Sequence, residues 1–110
     1  MSAGEYLGEF EQIVLLALVR LGEDAYGAAV RREIGERTGR EVATGAVYAT
    51  LDRLESKGLV ASALGEPTAE RGGRARRHFR ITAAGARSLQ RSQQAFARML
   101  AGLPAKWRPA

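Results

Sequence analysis

The chain has 110 residues, 45% hydrophobic and 26% charged, with no cysteine. That is enough for one globular domain with a modest core, and it excludes disulfides and thiolate chemistry. The net charge of +5 hides a division: the first seventy residues carry seven cations and twelve acids, whereas after Glu70 there are ten cations and no acid.

Leu7, Phe10, Val14, Ala17, Leu18 and Leu21 recur at helical spacing and predict a first helix over 7–21. Within it lies the longest apolar run, Ile13 to Val19, far short of the roughly 20 residues a membrane helix needs. No basic segment followed by a greasy stretch opens the chain, so a cytoplasmic protein is expected. Gly22 is placed for a C-terminal cap and Asp24 for the N-cap of a second helix, about Ala25 to Thr38, ended by Gly39. Tyr26, Ala29, Val30 and Ile34 face inward there, with Arg31, Arg32, Glu36 and Arg37 outside. Val42 is read as briefly extended. Thr44 is the expected N-cap of a third helix reaching Lys57, with Val47, Leu51 and Leu54 as its buried stripe. Gly58 supplies the left-handed residue that ends it, and Leu59 packs back.

The period then changes from helical to alternating. Leu59 to Leu64 and Arg76 to Ile81 are predicted as paired strands, Phe79 and Ile81 on one face, His78 and Arg80 on the other. Between them lie about eleven residues with Pro67, Gly72 and Gly73, too many for a tight turn. Thr82 caps a fourth helix ended by Pro104. Leu89, Phe96 and Leu103 on it are spaced seven apart, with Met99 and Leu100 nearby. Such a stripe calls for cover, from a second copy through Leu7, Phe10, Leu89, Phe96, Met99, Leu100 and Leu103, or from the first helix of the same chain. The expected organisation is a winged helix-turn-helix over 1–81, a dimerisation helix over 82–104 and a flexible tail over 105–110. The fold class is mainly α with a small β-hairpin.

Three helices followed by an arginine-rich hairpin suit double-stranded DNA. The third helix has a face opposite its apolar stripe made of Gly45, Ala49, Asp52, Arg53 and Ser56, with Thr44 and Tyr48 at the margin. Small residues at Gly45, Ala46 and Ala49 let a helix sink into a major groove about 12 Å wide. Thr44 and Tyr48 can donate to phosphates or base edges, and Arg53 can reach the backbone. Arg71, Arg74, Arg76 and Arg77, with Gly72 and Gly73 at the tip, can straddle a phosphate rail or enter a minor groove. Each assignment has a plainer rival. The arginines can form a solvated loop, Tyr48 can be half-buried against the second helix, and Tyr26 can be a core-edge residue with a wet hydroxyl.

Five segments resemble the PadR-type winged helix-turn-helix transcriptional regulators: Leu7 to Leu16, Asp24-Ala-Tyr-Gly27, Thr44 to Val60, Gly65 to Arg74, and Phe79 to Gly85. The resemblance spans nearly the whole chain and places it with the small-form members, which have a single C-terminal helix. It implies a bacterial homodimer, usually a repressor, that binds an inverted repeat and is often released by a small ligand. It also implies that Tyr26 and Tyr48 lie near the DNA backbone. In a multidrug-binding relative an aromatic of the C-terminal helix stacks on planar ligands at the dimer centre. Phe96 and Trp107 are the nearest candidates here for binding a small aromatic ligand, and simple packing is the alternative.

Catalysis finds no support. His78 is the single histidine and reads as a surface strand residue, no phosphate-cradling glycine loop is present, and neither metal nor cofactor is expected. Besides a DNA-binding regulator, two other classes fit: a sensor whose main event is ligand binding at the dimer centre, and a winged-helix module for an acidic protein partner.

Overall fold

The computed structural model describes residues 6–65 and 76–107. Four helices run in chain order: α1 (Glu9–Leu21), α2 (Gly27–Thr38), α3 (Thr44–Ser56) and α4 (Ala83–Leu100). Two strands, β1 (Val60–Leu64) and β2 (Arg77–Ile81), lie between α3 and α4, and short 3-10 turns occupy Gly22–Asp24 and Ala105–Trp107. The mainly helical winged helix-turn-helix expected from the periodicities is the observed architecture. Among the described residues no helix is long and apolar enough to cross a membrane.

Helical spacing builds the core. Val47, Leu51 and Leu54 of α3 are fully buried, and they meet Val14, Leu15 and Leu18 of α1 and Val30 and Ile34 of α2. Each such leucine removed from water contributes roughly 1.5–3 kcal/mol. Gly39 and Gly58 both adopt left-handed backbone and end their helices there. After Gly58 the Leu59 N–H bonds back to the Leu54 carbonyl at 3.0 Å, which turns the chain into β1.

The strands pair antiparallel from Val60 opposite Ile81 to Leu64 opposite Arg77, and the Gly65 N–H to Arg76 carbonyl bond extends the pairing. Alternation along β2 buries Phe79 and half-buries Ile81. The outer edge of β2 receives a further short piece of chain. The Phe79 N–H donates to the Ala25 carbonyl at 2.8 Å, and Tyr26 bridges His78.

That bridge explains a correction. Asp24 does not cap α2. It lies in the 3-10 turn, and Tyr26, held extended by its pairing with His78, is the N-cap, so α2 begins at Gly27. Thr44 is likewise displaced by one. Ala43 is extended and its carbonyl accepts from Ala46 and Val47, leaving Thr44 as the first helical residue. Thr82, in contrast, caps α4 as expected, its hydroxyl accepting from the Gly85 N–H at 3.0 Å.

The C-terminal helix departs from its predicted length and environment. It stops at Leu100, because Ala101 is extended and Gly102 is left-handed, so Leu103 lies beyond the helix and Pro104 does not terminate it. Its first half folds onto the protomer itself. Leu89 belongs to the chain's own core, Ser92 is buried and accepts from the Leu7 N–H at 3.0 Å, and Gln93 donates to Gln12. Leu7 and Phe10 also pack against that core, and the Arg40 guanidinium covers the Phe10 ring. Only the distal half of α4 is bare, with Phe96 69% and Met99 77% exposed.

One buried acid ties these parts together. Gly8, at the N-cap of α1, has no side chain, so only the return half of a capping box forms, with the Gly8 N–H donating to Glu11 Oε1 at 2.9 Å. Glu11 Oε2 accepts from Lys57 Nζ at 3.0 Å and Arg53 Nε at 3.3 Å, joining α1 to the far end of α3. Burial opposes ionisation of Glu11, but the bonds from Gly8, Lys57 and Arg53 outweigh it and hold the carboxyl below its ordinary value of 4.5. A carboxyl with a lowered folded value stabilises the protein above its unfolded value and loses that contribution as the pH falls through the lower one. Thermal unfolding of Glu11→Gln is therefore expected to vary less with pH below about 5 than that of the parent chain. Parallel curves for the two proteins would contradict this account.

Candidate nucleic-acid interface

The exposed face of α3 is small and nearly neutral. Thr44, Gly45, Ala46, Ala49, Asp52 and Ser56 all reach solvent. Tyr48, 40% exposed, sits at its edge with its ring across Gly27 and edge-on to Phe79, the centroids 6.4 Å apart. Its phenol thus rests on the head of α2 with one side open, the half-buried placement that was the plainer alternative for Tyr48.

Tyr26 is the centre of a cationic cluster. Arg76 lies over its ring at 4.1 Å, His78 stacks on it with centroids 5.9 Å apart, and Arg32 Nη2 approaches its hydroxyl at a long 3.5 Å. Arg32 first, and then Arg76, hold the phenol below its ordinary value of 10.0 against the opposing effect of burial. Strand alternation puts Arg76 and His78 on one side of the wing, while the Tyr26–His78 bridge brings that side against the start of α2. Among the described residues neither Arg32 nor Arg76 has a carboxylate partner. Three acids of α1 and α2 pair elsewhere: Glu33 with Arg20 and Arg37, Glu9 with Arg40, and Glu11 with Arg53 and Lys57.

Helix ends add to this. Neither α2 nor α3 has a side-chain cap, so backbone N–H groups at both N-termini are left for another acceptor. The loop that sets the two helices apart is fixed by Arg31, whose Nε donates to the Val42 carbonyl at 2.7 Å.

The remaining candidates separate. Arg53 is committed to Glu11 and, at 3.3 Å, to the Thr50 hydroxyl, which turns its guanidinium toward α1. Arg77 is exposed and donates to Ser62 at 2.9 Å, and Ser62 donates in turn to Glu55. Arg71, Gly72, Gly73 and Arg74 lie outside the described residues. Two members of the cluster were missed by periodicity: Arg32, read only as outward-facing, and His78, read as a surface strand residue. The one signal in the sequence was the alternation of Arg76 and His78 along the strand.

The profile of the transcriptional regulator PadR-like family matches residues 15–91, from α1 to the middle of α4. The chain belongs to that family. It is a transcriptional regulator of the PadR type, as the resemblance of its central block and wing implied. Among solved structures, a PadR family transcriptional regulator from Eggerthella lenta is 29% identical, with a TM-score of 0.66 over 83% of this chain and 79% of that one. A transcriptional regulator from Thermoplasma acidophilum (23% identity, TM-score 0.69) and a PadR-like regulator from Bacillus cereus (21%, 0.67) share the fold over 82% of both chains. A comparison with curated proteins finds no match.

Proposed function

We propose that this PadR-type regulator binds double-stranded DNA as a two-fold homodimer, α3 reading the major groove of each half of an inverted repeat. The observation that carries this reading is the Tyr26 cluster. Two arginines without carboxylate partners among the described residues converge on one phenol at the head of α2, whose N–H groups no side chain caps. A backbone phosphate at this corner is matched by the two guanidinium groups and the uncapped start of α2. Tyr26, Arg32, Arg76 and His78 then fix the position on the duplex. Thr44, Gly45, Tyr48 and Ala49 meet base edges, and Arg71, Gly72, Gly73, Arg74 and Arg77 belong to the wing that follows the adjacent backbone.

Dimerisation through the distal half of α4 is supported by the exposure of Phe96, Met99 and Leu100. Occupancy of a promoter by such a dimer represses transcription. Phe96 and Trp107, the latter 67% exposed, leave open rings, and a planar aromatic ligand stacking on them at the dimer centre provides release. We place this function in the cytoplasm of a bacterium, the setting that the family resemblance implies.

Selection from a random DNA pool, followed by salt titration of the selected duplex, tests the reading. The expected product is an inverted repeat with half-sites about 34–36 Å apart. Its affinity should fall with salt by close to one unit of log–log slope per neutralised phosphate. Binding without sequence selection would instead favour the module for an acidic protein partner.

A further inference from the structure

One carboxylate stands on the face of α3 that the proposed function sends into the major groove. Gly45, Ala49 and Asp52 follow one another at four and three residues, so they line one side of the helix. The buried Val47, Leu51 and Leu54 line the other. Asp52 is exposed and makes no ion pair among the described residues. Its nearest cations along the chain, Arg53 and Lys57, both bond to Glu11 instead, at 3.3 and 3.0 Å. Glu11 thus draws the positive charge of α3 toward α1 and leaves Asp52 uncompensated.

The rest of α3 offers little that singles out a purine. From Thr44 to Ser56 it contains no asparagine, glutamine or lysine, and its one arginine is the Arg53 held by Glu11 and Thr50. The bidentate contacts that distinguish guanine or adenine therefore have no source in this helix. A carboxylate only accepts hydrogen bonds, and beside a polyanion it is unfavourable unless a donor meets it. In the major groove guanine shows acceptors, thymine an acceptor and a methyl group, and adenine an acceptor next to its donor. Cytosine alone shows a donor and no acceptor, through its exocyclic amino group.

We propose that Asp52 makes cytosine a fixed base of each half-site, its carboxylate accepting from the exocyclic amino group. The assignment rests on the DNA-binding reading and adds to it the base that α3 selects. Ala49, one turn nearer the start of the helix, carries only a methyl group. It lets the helix lie deep enough for the short aspartate side chain to reach a base edge.

Selection from a random DNA pool with the parent chain and with Asp52→Asn tests the assignment. The parent is expected to fix one C·G pair in each half-site. Its replacement by any other pair should weaken binding at least about tenfold per half-site. Asparagine both donates and accepts, so Asp52→Asn should exchange that cytosine for adenine and leave the other selected positions as they were. The melting temperature should hold, since the position is exposed and lies outside the core. Unaltered base preferences in Asp52→Asn would overturn the assignment. So would tighter binding to every duplex alike, which would put the carboxylate against a phosphate. A parent chain that selects no sequence would defeat the DNA-binding reading, and this assignment with it. Selection of an inverted repeat that is indifferent to Asp52→Asn defeats this assignment alone.

Discussion

Replacing Arg32 and Arg76 together by alanine is expected to weaken binding to a selected operator by on the order of 100-fold per half-site, from about 1.5 kcal/mol for each charge-assisted hydrogen bond to phosphate that is removed. The loss should be nearly the same for unrelated duplexes, because in the proposed complex both side chains, held at Tyr26, address the backbone and not the bases. The salt dependence should also become shallower, by close to one unit per arginine in each half-site. Stability should change little, because Arg76 and Arg32 make no ion pair among the described residues and sit at the surface edge of the fold. Competition titrations on two duplexes at several salt concentrations, with a thermal melt of each protein, measure these quantities. A loss confined to the operator would mean that these arginines read bases, and no loss would remove the cluster from the interface.

Gly85→Ala is expected to have the largest effect on stability. Gly85 is buried in the first turn of α4, where an added Cβ collides with the Leu59 carbonyl oxygen and presses on Ile81 Cγ1. A backbone oxygen held in the turn that follows α3 cannot swing aside. The overpacking costs about 3 kcal/mol. Alanine's better helix propensity recovers about 1 kcal/mol. The net loss of about 2 kcal/mol lowers the melting temperature by roughly 8–16 °C in a domain of this size. Gly27→Ala makes the useful contrast. Its Cβ meets the end of the Tyr48 ring, which is partly exposed and can rotate away. Its melting temperature should hold while DNA affinity falls through the displaced phenol. Thermal unfolding of the pair decides the matter, and a Gly85→Ala protein as stable as its parent would show that α4 does not dock as described.

Much of this fold could be read from local pattern. The stripe Val47, Leu51, Leu54 located α3, and Gly39 and Gly58 marked helix ends because few other residues accept their left-handed backbone. The alternation from Arg77 to Ile81 placed Phe79 inside. What escaped was set by pairings distant in sequence. Tyr26 became a cap in place of Asp24 because His78, more than fifty residues away, pairs with it. The cationic cluster depends on the same pairing, so Arg32 looked like any outward arginine of an amphipathic helix. The seven-residue spacing of Leu89, Phe96 and Leu103 suggested one continuous stripe. Tertiary packing divides it, since Leu89 is claimed by the body of its own chain and Gly102 ends the regular structure before Leu103. Arg53 was legible as an exposed cation, but its engagement by Glu11 from α1 was not.

The division of α4 has a consequence for how such a regulator responds to its own abundance. With Leu89 and Ser92 committed to the protomer and Phe96 and Met99 left bare, a lone chain retains its complete core. Folding is then first order in the chain, whereas the proposed pairing is second order. Under the proposed pairing, the active species would grow at low expression with the square of chain concentration, and operator occupancy would rise more steeply than for a monomer. One half-covered helix would then give the cell a steeper response to the regulator's abundance, with no additional component.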